Sequence, residues 1–124
     1  MQVSEIIQSC GVGFEVISGE DSLTWPILAL GGKGVISVTA NLVPEKFSKL
    51  CKAALEGDMA IARSLHYELL KLNDVMFIET NPIPVKAALV IMGRIDNEFR
   101  APLCPPSNHN LATLKSILQE YALV

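Results

Sequence analysis

Apolar positions recur along this chain in two patterns, and the change from one to the other divides it. "VSEIIQSC" places Val3, Ile6 and Ile7 at helical spacing and predicts a short amphipathic helix, stopped by Gly11 and Gly13. "FEVIS" (14–18) is short, rich in β-branched residues and closed by Gly19, which predicts a strand. A helix follows: "EDS" offers N-cap candidates and first-turn carboxylates, "LTWPILAL" the body, and Gly31-Gly32 the stop. Pro26 fits that helix within its first turn; deeper in, it would kink the axis. "GVISVT" (34–39), uncharged and small or β-branched throughout, is the second strand. A strand–helix–strand order with a connection of about a dozen residues requires parallel strands and a right-handed crossover. Neither strand alternates polar with apolar residues, so both are expected to be buried on two faces.

From residue 44 the spacing is helical throughout. "PEKFSKLCKAALEGD" (44–58) starts with proline at a first helical position, sets acids before bases and ends at Gly57. "MAIARSLHYELLKLNDVMFI" (59–78) carries an apolar stripe at 61, 65, 69, 72 and 76. "NPIPVKAALVIMG" runs from Asn81 to Gly93, "APLCPP" is a linker, and "SNHNLATLKSILQEYAL" predicts a last helix with apolar residues at 111, 114, 117, 118 and 121. Two parallel strands with open edges do not make a stable sheet. The strands are therefore expected to be completed either by other copies or by the rest of a larger α/β domain, with the helices after residue 58 forming a layer of their own.

Composition narrows the function. Half of the 124 residues are hydrophobic and 19% are charged, which excludes general disorder. A net charge of −3, three arginines and no Lys/Arg cluster argue against nucleic acid or an anionic membrane as a partner. No apolar run approaches the roughly 18 residues of a membrane span, and "MQVSEIIQSC" lacks the layout of a signal peptide. Cys10, Cys51 and Cys104 are odd in number and widely spaced. That pattern suits reduced thiols in a cytoplasmic setting better than a disulfide framework or a zinc site.

Few residues suggest chemistry. Glu20 and Asp21 are adjacent carboxylates after a strand; helix N-capping is the plainer role, with metal or acid–base work, or a substrate-facing Glu20, as the alternative. Lys33 is a tempting amine nucleophile, but a Schiff-base lysine must be desolvated, and Lys33 lies between glycines in a loop ahead of the second strand. Lys86 opens a helix and suits packing or pairing. His66 and His109 have no metal-ligand partner at helical spacing. The glycines of "GGKGV" precede a strand, not a helix, which disfavours a phosphate cradle. Trp25 and Phe77 read as packing residues.

"SGEDSLTWPILALGGKGVISVTANLVPEKF", then "ALEGD" and "FIETNPIPVKAAL", resemble the C-terminal part of the dihydrodipicolinate synthase family, within the pyruvate-dependent Schiff-base aldolases that include N-acetylneuraminate lyase. The resemblance runs in order over essentially the whole chain. It implies an α/β fold: a partial (β/α)8 barrel in which "FEVIS" and "GVISVT" are strands seven and eight, then a C-terminal helical domain. Residues 1–58 would be the last quarter of the barrel and residues 59–124 the helical domain. The reaction implied is the condensation of pyruvate with aspartate semialdehyde, on the route to lysine and diaminopimelate, through an imine on a strand-six lysine with a strand-five tyrosine relaying protons. On this alignment those groups precede Met1, no catalytic residue falls within the chain, and no metal or cofactor is required. The residues implied to face substrate are Gly19, Glu20 and Ile36; the family usually has Asp where Glu20 stands. The chain is thus expected to be one segment of such a lyase, inactive alone, with a missing barrel portion or a homo-oligomer as partner. The alternative is a non-catalytic, self-associating module derived from the same fold.

Overall fold

The computed structural model describes residues 2–11 and 13–124. Helix α1 (Gln2–Cys10) leads into strand β1 (Ile17–Ser18), a 3-10 turn at Asp21–Leu23, helix α2 (Thr24–Ala29) and strand β2 (Gly34–Val35). The strands are parallel, with Ile17 opposite Gly34 and Ser18 opposite Val35. The ladder extends one bond beyond each end: Lys33 N–H donates to the Val16 carbonyl and Ile36 N–H to the Ser18 carbonyl, both at 2.8 Å.

Both strands are shorter than the expected spans 14–18 and 34–39. The cause is local. Past Ile36 the backbone turns, Val38 has helical dihedrals (φ −78°, ψ −48°), and Thr39–Asn41 is a 3-10 turn. The expected burial on two faces also needs correction. Ser18 is buried, but Phe14, Ile17 and Ile36 are 55%, 51% and 77% exposed. Helix α2 packs on both strands, and the sheet has two strands among the described residues, so the apolar side chains that face away from α2 stand open.

Pro26 is the third residue of α2, within the first turn, as expected. The helix closes on Gly31 at φ +106°. Gly32 N–H donates to Ile27 O at 2.9 Å and Gly31 N–H to Leu28 O at 3.0 Å, the paired bonds of a Schellman ending. Helix α3 (Pro44–Leu55) has proline at its first position and packs on α2 and on the Thr39–Asn41 turn, burying Phe47, Leu50, Ala53 and Ala54. Helix α4 (Met59–Val75) starts beside Asp58, whose Oδ1 accepts the Ile61 N–H at 3.1 Å. Its buried stripe reads Ala62, Leu65, Leu69, Leu72, with Met76 just beyond the helix. Ile61, expected in that stripe, is exposed.

The chain forms two compact units, Met1–Leu69 and Leu70–Val124. The division falls inside α4, whereas the expected boundary stood ahead of it, between residues 58 and 59. In the second unit, helices α5 (Ile83–Ile91) and α6 (Asn108–Glu120) pack together, with Ile83, Val85, Ala87, Ala88, Leu114 and Leu118 buried. Ser107 caps α6 by accepting the Asn110 N–H at 3.3 Å. Glu79 ties the chain ahead of α5 to this start, accepting the Ser107 N–H at 2.9 Å and an Asn110 Nδ2–H at 2.7 Å. Those hydrogen bonds hold the Glu79 carboxyl below its ordinary range. Leu111 is exposed rather than part of the α6 stripe.

Cys10 and Cys104 are exposed and Cys51 is half-buried. Burial pushes the Cys51 thiol up, which reduces its thiolate, the reactive form. Iodoacetamide near pH 7.5 should therefore label Cys10 and Cys104 first, with Cys51 modified more slowly by at least about tenfold. Time-resolved mass spectrometry of tryptic peptides checks this; equal rates at the three sites would contradict it.

Candidate functional site at the strand ends

The three residues expected to face substrate lie where β1 and β2 end. After Ser18 the backbone is held locally: the Ser18 hydroxyl donates to the Glu20 carbonyl at 2.8 Å and accepts the Glu20 N–H at 3.1 Å. Gly19 is thereby presented in an open position, since a Cβ built on it meets nothing within 4 Å. The half-buried Glu20 accepts the Ser22 hydroxyl on Oε1 at 3.0 Å, and its carbonyl accepts Thr24 Oγ1–H at 3.3 Å. Ile36 follows the last residue of β2 and projects its apolar side chain into the open. Because the strands are parallel, Gly19, Glu20 and Ile36 emerge at the same end of the sheet, the end at which open and closed parallel α/β folds place their sites.

Asp21 does not cap the helix beside it. Neither the 3-10 turn nor α2 has a side-chain cap bond, so the capping role expected for Glu20 and Asp21 is not found there. The Asp21 carboxylate, 1% exposed, instead reaches the turn after β2. Its Oδ1 accepts the Ser37 hydroxyl, and its Oδ2 accepts the Val38 N–H at 3.0 Å and the Thr39 N–H at 3.5 Å. Ser37 Oγ in turn accepts the Ala40 N–H at 2.8 Å. Asp21 was singled out as a carboxylate, but its link to Ser37 was missed, because no local spacing joins a carboxylate to donors 16 to 18 positions along the chain. The polar Ser37 within an otherwise apolar strand was the one available sign.

The remaining candidates lie elsewhere. Lys33 is exposed in the loop ahead of β2, at the opposite end of that strand from Ile36. Lys86 sets its ammonium 5.2 Å from the Phe99 ring centroid, a cation–π pairing. His66 sits between Trp25 and Tyr67, with ring centroids at 5.3 Å and 5.2 Å, and burial lowers its imidazole. Trp25 thus packs, as expected, and Phe77 is partly covered, at 39% exposure. His109 is exposed near the start of α6. Among the described residues no group of three or more His, Cys, Asp or Glu could hold a metal ion, and no helix is long and apolar enough to cross a membrane.

A parallel strand pair with a helical crossover defines an α/β segment. Its kinship is specific: the model of the dihydrodipicolinate synthetase family matches residues 1–121, and the chain belongs to that family. The 4-hydroxy-tetrahydrodipicolinate synthase of Nitratidesulfovibrio vulgaris strain DP4 is 56% identical over 118 residues, covering 95% of this chain and 40% of that protein. The enzyme of the same name from strain Miyazaki F is 53% identical over 124 residues, 100% of this chain and 42% of that one. Among solved structures, dihydrodipicolinate synthase from Aquifex aeolicus superposes with a TM-score of 0.95 at 50% identity, covering 98% of this chain and 41% of that one. A dihydrodipicolinate synthase variant described as the first monomeric one gives 0.91 at 40% identity, over 99% of this chain and 42% of that one. The chain spans about two fifths of the length of the curated relatives it matches.

Proposed function

We propose that residues 1–124 are the closing portion of a 4-hydroxy-tetrahydrodipicolinate synthase, which joins pyruvate to aspartate semialdehyde on the route to lysine and diaminopimelate. In this reading β1 and β2 are strands seven and eight of a (β/α)8 barrel, and residues 59–124 are the helical domain that follows it. Gly19, Glu20 and Ile36 wall the substrate end, where the close approach allowed by Gly19 and the apolar side chain of Ile36 shape the pocket. Glu20 extends its carboxylate one methylene further than the aspartate usual in the family. A cytoplasmic setting fits the three unpaired thiols.

The observation that carries the reading is the open sheet. Phe14, Ile17 and Ile36, all apolar, stand more than half exposed beside two parallel strands whose outer edges are unpaired among the described residues, a surface suited to cover by further strands. The same sheet carries no amine suited to the chemistry. An imine forms when a neutral lysine amine attacks the pyruvate ketone and water leaves, which demands a lysine sheltered from water. Lys33 is exposed, and Lys86 is engaged with Phe99. In this reading the chain alone is inactive, and the catalytic lysine belongs to the strands that complete the ring.

Incubating the chain with pyruvate and sodium borohydride, then weighing it, tests this. The expected result is an unchanged mass. A permanent adduct on Lys33, Lys86 or any other lysine would overturn the proposed division of labour.

A further inference from the structure

We infer that Asp21 is a positioning residue: its buried carboxylate locks the turn after β2 to the turn after β1, and so fixes Ile36 relative to Gly19 and Glu20. The inference rests on the reading that these strand ends face substrate. Asp21 follows Gly19 and Glu20 directly, and the first of its bonds goes to Ser37, directly after Ile36. One side chain therefore joins the two segments that carry all three substrate-facing residues.

Both carboxylate oxygens are occupied, Oδ1 by the Ser37 hydroxyl and Oδ2 by the Val38 and Thr39 amides. These bonds orient the carboxylate toward the turn after β2. The N–H groups of Val38, Thr39 and Ala40 open the turn at Thr39–Asn41 and have no partner within it. A negative charge at such a start is favourable. Asp21 satisfies two of these donors directly and the third through Ser37, whose oxygen accepts the Ala40 N–H while its proton goes to Asp21. The network is buried at its centre, where a lost acceptor leaves unpaired donors. Ile36, by contrast, has no packing of its own to hold it, being 77% exposed. Its backbone is held on one side by the ladder bond to the Ser18 carbonyl and on the other by the turn that follows.

Two measurements test the inference. In the chain itself, Asp21→Asn and Asp21→Ala are compared with the parent by amide hydrogen exchange. Exchange at Val38 and Thr39 should quicken by at least about tenfold, with the amides of Leu50 and Leu69 at parental rates. Unchanged exchange at 38 and 39, or uniform acceleration through α3 and α4, would overturn it. In the second measurement the chain is joined to the residues that precede the matched stretch in the Nitratidesulfovibrio vulgaris DP4 enzyme, and turnover is expressed per site trapped by pyruvate and borohydride. A misplacement of about 1 Å costs about 100-fold in rate, so Asp21→Ala should lower turnover per trapped site by about that factor, and Ser37→Ala by about tenfold. A residue that served only folding would reduce the number of trapped sites and leave turnover per site unchanged; that result would overturn the inference. A joined parent protein that traps no pyruvate would speak against the proposed function, and the exchange measurement would still decide the clamp.

Discussion

Phe47→Ala is expected to lower the unfolding free energy by about 3–5 kcal/mol. Phe47 is 2% exposed and lies on the face of α3 that packs against α2 and the Thr39–Asn41 turn. Truncation removes the transfer energy of the ring and leaves a cavity, because α3 is held at both ends and cannot settle into the space. Its first turn follows the buried Leu42–Val43 pair, and its last turn is closed by Asp58 N–H donating to Ala53 O at 2.8 Å. Total stabilities of single domains are about 5–15 kcal/mol, so the loss is a large share. Urea unfolding followed by circular dichroism measures it as a fall in midpoint at constant slope. A change below about 1 kcal/mol would show that the ring is not buried as described.

The second large effect is expected at Gly32. A Cβ there would lie 2.6 Å from Ile27 Cγ2 and 2.8 Å from the Ile27 carbonyl oxygen. The side-chain methyl can swing away. The carbonyl cannot, because it accepts the Gly32 N–H at 2.9 Å as part of the α2 ending. Gly32→Ala should therefore break that ending and shift α2 on the strands, with a cost of about 1–3 kcal/mol or more. Gly34→Ala is the control: its Cβ meets nothing within 4 Å, and removing a glycine at a compatible position is neutral or stabilising by about 0.4–1 kcal/mol. Thermal unfolding of the two variants should separate them clearly. Equal melting temperatures would contradict the packing of α2 on its own C-terminal turn.

Much of this fold was legible in the sequence because its punctuation is strong. Gly31-Gly32, Pro44 and Gly57 act through local backbone geometry, and the helix limits they predict agree with α2 and α3 to within a few residues. The strands were read correctly as parallel, since a strand–helix–strand order with a crossover of that length is the βαβ connection. Their burial was not: Ile17 and Ile36 stand exposed on a sheet of two strands among the described residues, and composition alone cannot say whether an apolar strand face is covered. Ile61 was placed in the α4 stripe because it is large and apolar; the small Ala62 took the buried position instead, since hydrophobic size does not fix which side of a helix turns inward. Gly19, Glu20 and Ile36 were singled out only through the family pattern. The Asp21–Ser37 clamp was reachable from neither spacing nor composition, being a contact that exists only once the parallel pair has formed.

The central claim, that this chain completes a barrel whose reactive amine lies on other strands, is tested most directly by mixing. The chain and the preceding portion of the Nitratidesulfovibrio vulgaris DP4 enzyme are combined, treated with pyruvate and borohydride, and analysed by sedimentation and peptide mass spectrometry. A stable complex, with the pyruvyl adduct on a lysine of the preceding portion and none on residues 1–124, is the predicted result. Failure of the two portions to associate, or an adduct on a lysine of this chain, would contradict it.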